Sequence, residues 1–179
     1  MLGDNIVYNP SQLLNELKNK LNQIGKYNIK NVNLLHQAMT RQSAISQNMA
    51  QAYNNSYQKL EFLGDSILDT VICEIISENY LEPTSEKLTS LKIEIVNNKN
   101  LADIGKEYNL SKYLIFGKSE VKCNIRNNTK ALADFIESII GVIYIDSGYN
   151  YETTKNFIKN FLIPKLKITN EKKKLSDNI

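Results

Sequence analysis

Leu60-Glu61-Phe62-Leu63-Gly64-Asp65-Ser66-Ile67-Leu68-Asp69 and Ala131-Leu132-Ala133-Asp134-Phe135-Ile136-Glu137-Ser138-Ile139-Ile140-Gly141 place four carboxylates among apolar residues. Read as helices, Glu61 and Asp65 are four apart and share a face. Asp134 and Glu137 are three apart and share another. The second stretch is apolar almost all round, and its one narrow interruption holds Asp134, Glu137, Ser138 and Gly141. A helix of that kind is buried. Unpaired carboxylates at its margin are costly and tend to neutralise.

Two readings of the acids follow. Pairs of acids on a helix commonly face solvent and do nothing. Alternatively, four carboxylates converging on divalent metal give what phosphodiester hydrolysis needs. Small residues beside the acids, Gly64 and Gly141 among them, leave room for an ion, water or phosphate. Gly64 also suits close helix–helix packing, and mid-helix glycine costs about 1 kcal/mol against alanine.

The rest of the chain narrows the chemistry. At 179 residues it can build a core and fold as one domain. No apolar run is long enough to span a bilayer, and residues 1–9 lack a secretory pattern. Cys73 and Cys123 read as two reduced thiols in an intracellular protein of the cytoplasm or nucleus. His36 is the single histidine, which argues against zinc hydrolases and triad chemistry. The net charge of +3 is carried almost entirely by lysine. It concentrates locally in a loop, residues 117–130, with Lys118, Lys122, Arg126 and Lys130 as candidate phosphate contacts. The alternative is a solvated loop. Lys130 lies one turn before Asp134, where it could hold a phosphate or pair with a site acid.

Periodicity and turn signals predict helices throughout. Pro10-Ser11 opens one, with Leu13, Leu14, Leu17 and Leu21 at helical spacing. Asn31 caps a second, running through Met39. Residues 45–56 read as a polar loop, followed by the first acidic helix over 57–79. Pro83 and Thr84 break it, and Ser85 caps the next helix to about Asn98. Another begins at Asn98 or Lys99 and ends near Tyr108. Residues 111–116 are ambiguous. Thr129 caps the second acidic helix, which ends at Ser147-Gly148, and a last helix runs over 151–166 despite Pro164 near its end. Residues 169–179, with Lys172-Lys173-Lys174, read as a polar disordered tail. No strand pattern is convincing, so the fold class is all-α, with one domain over residues 1–168.

Leu60 through Leu68 resembles the signature helix of the ribonuclease III family. Ala133-Asp134-Phe135-Ile136-Glu137-Ser138 through Gly148 resembles that family's second acidic helix, in the right order and at the right separation. Leu88-Thr89-Ser90-Leu91-Lys92, Val96-Asn97-Asn98 and Leu101-Ala102 are similar to its central helices. Residues 34–44, with Ala38-Met39-Thr40 and Ser43-Ala44, resemble the segment before the signature. The likeness covers roughly residues 30–165.

The resemblance implies a helical endonuclease domain forming a two-fold dimer that cleaves double-stranded RNA, for RNA processing or RNA interference. The products would carry 5′-phosphate and short 3′ overhangs. It implies magnesium as cofactor, with manganese as a substitute, held by Glu61, Asp65, Asp134 and Glu137. Glu137 matches the acid most directly tied to the catalytic ion. Phe62 matches an aromatic lodged in the partner subunit. There are departures. Tyr57-Gln58-Lys59 stands where bacterial members have Asn-Glu-Arg, and it resembles the second ribonuclease domain of Dicer instead. Arg41 replaces a histidine common after the threonine matching Thr40. Glu86 is one residue off a further family glutamate. The double-stranded-RNA-binding domain common in the family is not seen: either the natural protein lacks it or this chain is a piece of a longer one, and a minimal nuclease could gain affinity from a separate RNA-binding partner or from a dimeric groove. The competing reading is a non-catalytic scaffold of the same fold, RNA-binding or ribosome-associated; such members lose site acids, which this chain keeps.

Overall fold

The computed structural model describes residues 10–46, 57–79, 84–117, 120 and 128–166. Lys118, Lys122 and Arg126, most of the 45–56 loop and the 169–179 tail lie outside the described residues. The described elements are helical apart from one isolated parallel bridge, Thr40 to Ile115. No helix among them is long and apolar enough to cross a membrane.

The chain begins with α1 (Pro10–Gly25), α2 (Val32–Met39) and a short α3 (Gln42–Ser46). The long α4 (Gln58–Asn79) carries the first pair of acids. Then come α5 (Ser85–Ile95), α6 (Asn98–Glu107) and a 3-10 helix (Leu110–Tyr113). The second pair is on α7 (Thr129–Asp146), and α8 (Tyr151–Phe161) closes the described fold.

Asn31, Thr84, Asn97, Asn128 and Asn150 cap α2, α5, α6, α7 and α8, each with a side-chain oxygen accepting a backbone N–H of the first turn. This moves three expected boundaries. Thr84 caps α5 in place of Ser85, and Asn128 caps α7 in place of Thr129. Helix α5 stops at Ile95, because extended backbone at Val96 and Asn97 hands the chain to the cap of α6. Helix α3 occupies residues assigned in part to the polar loop. The last helix ends at Phe161, and residues 162–165 turn rather than continue it.

Helix α7 is the axis of the molecule. Every residue from Ala131 to Ile143 is buried, including both acids. Its most extensive contact is with α4, then with α6, while α2 and α8 cover its other sides. Leu17, Leu21, Leu35, Leu68, Ile72, Phe135, Phe157 and Phe161 fill the space between them. At its C-terminal end Asp146 accepts hydrogen bonds from Tyr27 Oη (2.9 Å), Lys30 N (2.8 Å) and Asn31 N (2.7 Å). That carboxylate fixes the α1–α2 turn to the axis.

The two glycines do not leave room for a ligand, as one reading of the sequence had it. A Cβ on Gly141 would stand 2.2 Å from the Leu60 carbonyl oxygen, and one on Gly64 would meet α7 equally tightly. The backbone of the opposite helix fills the space, so the packing reading holds.

Candidate active site

Close approach of α4 and α7 brings acids from both helices together. Glu61, in the first turn of α4, and Asp134 and Glu137, on successive turns of α7, each offer a carboxylate oxygen, all within 4.8 Å of one another. Asp134 is 2% exposed and Glu137 9%. Asp65 is exposed and stands outside this group of three. It still acts on the site through its charge.

Glu137 shows the electrostatic cost. Its pKa is pushed from 4.5 up to about 8, first by burial and then by the negative charges of Asp65, Asp134 and Glu61; Lys130 opposes the shift. Burial raises Glu61 as well, with Asp134 the main charge acting on it. Burial likewise raises Asp65, with Asp69 beside it. Such a group of acids repels itself, and a divalent cation would relieve that repulsion. Hard carboxylate oxygens on two rigid helices are the donor set that magnesium or manganese takes.

Asp134 is held on both edges. Lys130, one turn earlier on α7, donates to Oδ1 at 2.9 Å and lies 3.8 Å from Glu61 Oε1. The hydrogen bond to Asp134 is the main cause raising the Lys130 pKa. Tyr57 Oη donates to Oδ2 at 3.3 Å, and burial pushes this phenol up to about 12. Arg41 Nη1 lies 3.7 Å from the same Oδ2. Ser138 Oγ caps the Asp134 carbonyl at 2.7 Å.

Of the residues singled out in the sequence, Glu61, Asp134, Glu137 and Lys130 meet in one place. Phe62 lies on the same helix but points away, 77% exposed, and is not a core aromatic. Glu86 is exposed, and nothing among the described contacts joins it to the acids. His36 is not part of the cluster; burial lowers its pKa. Sequence reasoning gave no role to Tyr57 or Arg41. Their substitution in otherwise familiar surroundings was the available signal.

Known proteins resemble this chain in sequence and in fold. Residues 31–166 match the family described as Ribonuclease-III-like. The curated protein "Ribonuclease 3" of Chlorobium chlorochromatii is 37% identical over 118 residues, covering 66% of this chain and 48% of that protein. "Ribonuclease 3" of Idiomarina loihiensis is 37% identical over 147 residues, covering 82% and 60%. The chain thus spans about half of the first relative's length and 60% of the second's. Among solved structures, the nuclease domain of ribonuclease III from Campylobacter jejuni superposes with a TM-score of 0.67 at 30% identity, over 80% of this chain and 98% of that one. Dicer from Pichia stipitis superposes with a TM-score of 0.55 over 76% and 56%; at 24% identity this likeness concerns the fold alone.

Proposed function

The chain belongs to the ribonuclease III family, and from that premise we propose that it is a magnesium-dependent endoribonuclease that cuts double-stranded RNA. The observation that carries the reading is the meeting of Glu61, Asp134 and Glu137 within 4.8 Å, with Glu137 pushed up to about 8. A scaffold with no chemistry to perform gains nothing from that repulsion. Its site acids would be free to drift to neutral residues that fold more cheaply.

Glu61, Asp134 and Glu137 would hold the ion, with Asp65 one turn along α4 adding negative charge. When bound, the ion lowers the pKa of a coordinated water and stabilises charge on the phosphate. Lys130 is the chain's own phosphate contact in this reading. Its side chain is 67% exposed and tethered only at the tip, so it can turn from Asp134 to an incoming phosphate. Lys118, Lys122 and Arg126 are further phosphate contacts in this reading, on their sequence alone. Duplex RNA presents shape, 2′-hydroxyls and phosphates rather than readable base edges, so sequence preference should be weak. The expected products carry 5′-phosphate and, with two sites acting across the duplex, short 3′ overhangs.

Two sites require two chains. The proposed assembly is a two-fold homodimer. Support comes from Phe62, whose exposure leaves a large apolar ring without cover. On the same helix, a notch of about 200 Å³ is lined by Cys73, Ile76 and Ser77 of α4 and Leu88, Thr89 and Lys92 of α5. A second copy's Phe62 is an occupant of suitable chemistry. The structure of the Campylobacter jejuni nuclease domain is itself described as concerning a region involved in dimer formation.

The test is incubation of the purified chain with end-labelled duplex RNA, with and without magnesium, beside Glu137→Gln. Magnesium-dependent cleavage lost in the variant is the expected result. Binding of duplex without cleavage, at any divalent concentration, would support a scaffold instead.

A further inference from the structure

Asp134 has two oxygen edges, and different cations hold them in different ways. We infer that Arg41 is a positioning residue that keeps the Oδ2 edge of Asp134 toward the protein interior, so that the Oδ1 edge faces Glu61 and the ion. The inference rests on the reading of these acids as metal ligands and extends it to a residue outside the cluster.

Arg41 is fixed from several directions. Its backbone N–H donates to the Ile115 carbonyl at 3.1 Å, beside the Thr40–Ile115 bridge. Its Nε donates to Glu120 Oε1 at 3.3 Å. Its guanidinium carbon stands 5.0 Å from the centre of the Tyr57 ring. Glu120 is held in turn by the Ser43 hydroxyl, whose oxygen accepts the Gly117 N–H at 3.0 Å. A Cβ on Gly117 would stand 2.4 Å from the Ser43 carbonyl oxygen, so the two backbones pass in close contact there.

Against this rigid frame, Asp134 Oδ2 receives the Tyr57 hydroxyl and faces Arg41 Nη1 at 3.7 Å. Nη1 is buried and makes no hydrogen bond among the described residues. The guanidinium is therefore placed by Glu120, Tyr57 and the backbone rather than by Asp134, and it presents a fixed charge to the carboxylate. Lys130 on the Oδ1 edge is the opposite case, since its side chain is largely exposed. The Arg41 side chain is 15% exposed. Displacing Lys130 to admit an ion is cheap, whereas displacing Arg41 means dismantling its frame. Lysine cannot reproduce the arrangement, because a compact ammonium cannot stack on Tyr57, donate sideways to Glu120 and face Asp134 together.

The experiment compares full-length wild type, Arg41→Lys, Glu120→Gln and the double variant in three measurements: melting temperature, Mn2+ titration by calorimetry, and kcat and KM on duplex RNA. Partners that orient a metal ligand cost about 10–100-fold in affinity when replaced. Arg41→Lys should keep a near-wild-type melting temperature, bind Mn2+ about tenfold or more weakly, and lose kcat by a similar factor with little change in KM. The double variant should be no worse than Arg41→Lys alone, because both substitutions break one chain of contacts. Wild-type Mn2+ affinity and kcat in Arg41→Lys would overturn the inference. So would losses that simply follow melting temperature across the set. If the wild type binds Mn2+ but cuts no duplex, the proposed activity fails, while the Mn2+ titrations still decide the role of Arg41.

Discussion

Gly64 on α4 and Glu137 on α7 approach so closely that a Cβ on the glycine would stand 1.8 Å from the Glu137 carbonyl oxygen. The carboxylates of the candidate site meet because the backbones of their helices touch. One more methyl group at this crossing moves α4, and Glu61 with it, away from Asp134 and Glu137.

Gly64→Ala should therefore destabilise the fold by about 1–3 kcal/mol or more, since the clash is with backbone and cannot be relieved by a rotamer change. Gly105→Ala is the contrast. A Cβ there would lie 3.4 Å from Leu132 Cδ2, an ordinary contact, in the last turn of α6. It should be neutral or stabilise by up to about 1 kcal/mol through helix propensity. Thermal melts of the two variants check both signs. A Gly64→Ala protein as stable as wild type would mean that the helices are not in backbone contact.

The metal-free protein should lose stability as pH rises from about 4.5 to about 8. The Glu137 pKa is raised in the folded state, by burial first and by its acidic neighbours second. Between those two values the folded chain holds a proton that the unfolded chain has released. The slope of unfolding free energy with pH is then negative, and the penalty is complete above about 8. Glu137→Gln should flatten that part of the profile. Melts across the window in a chelating buffer measure it, and parallel profiles for the two proteins would contradict the assignment.

Magnesium should reverse the penalty. An ion that binds only the folded chain raises the melting temperature by mass action. The increase should vanish in the combined Asp134→Asn, Glu137→Gln variant. An equal increase in both proteins would identify a general salt effect.

Phe62→Ala should separate assembly from folding. The ring is largely exposed in the single chain, so the fold should lose no more than about 0.5 kcal/mol. A buried aromatic anchor at an interface costs about 2 kcal/mol or more when truncated. A two-fold dimer loses this anchor twice, so analytical ultracentrifugation over a dilution series should show the variant dissociating at roughly a thousandfold higher concentration, with duplex cleavage falling in step. A wild-type chain that is monomeric at micromolar concentration yet cuts both strands would defeat the dimer.

The helices and both pairs of acids are legible in the sequence because their causes are local. Spacing along Leu60–Asp69 and Ala131–Gly141 shows which residues share a face, and the apolar circumference of α7 shows that it is buried. Capping is local too, although adjacent Asn, Ser and Thr residues leave the boundary open by one position, as at Asn128 and Thr129. What the glycines do was not decidable from one strand of the argument: the same small residue opens space or closes it, depending on which backbone lies opposite. The exclusion of Asp65 from the group of three has the same origin. Helical spacing pairs it with Glu61, but only the crossing of α4 over α7 determines what each of the two faces: Glu61 joins Asp134 and Glu137 in one group, while Asp65 is the foremost charge acting on Glu137. The hold on Asp134 is least visible of all. Tyr57 lies 77 residues from Asp134, and Arg41 and Glu120 come from separate segments on either side of a bridge. Sequence alone determined the kinds of groups this chain brings to its site. Tertiary structure decided which of them share it, because contacts across the fold depend on backbone separation and burial, which periodicity does not encode.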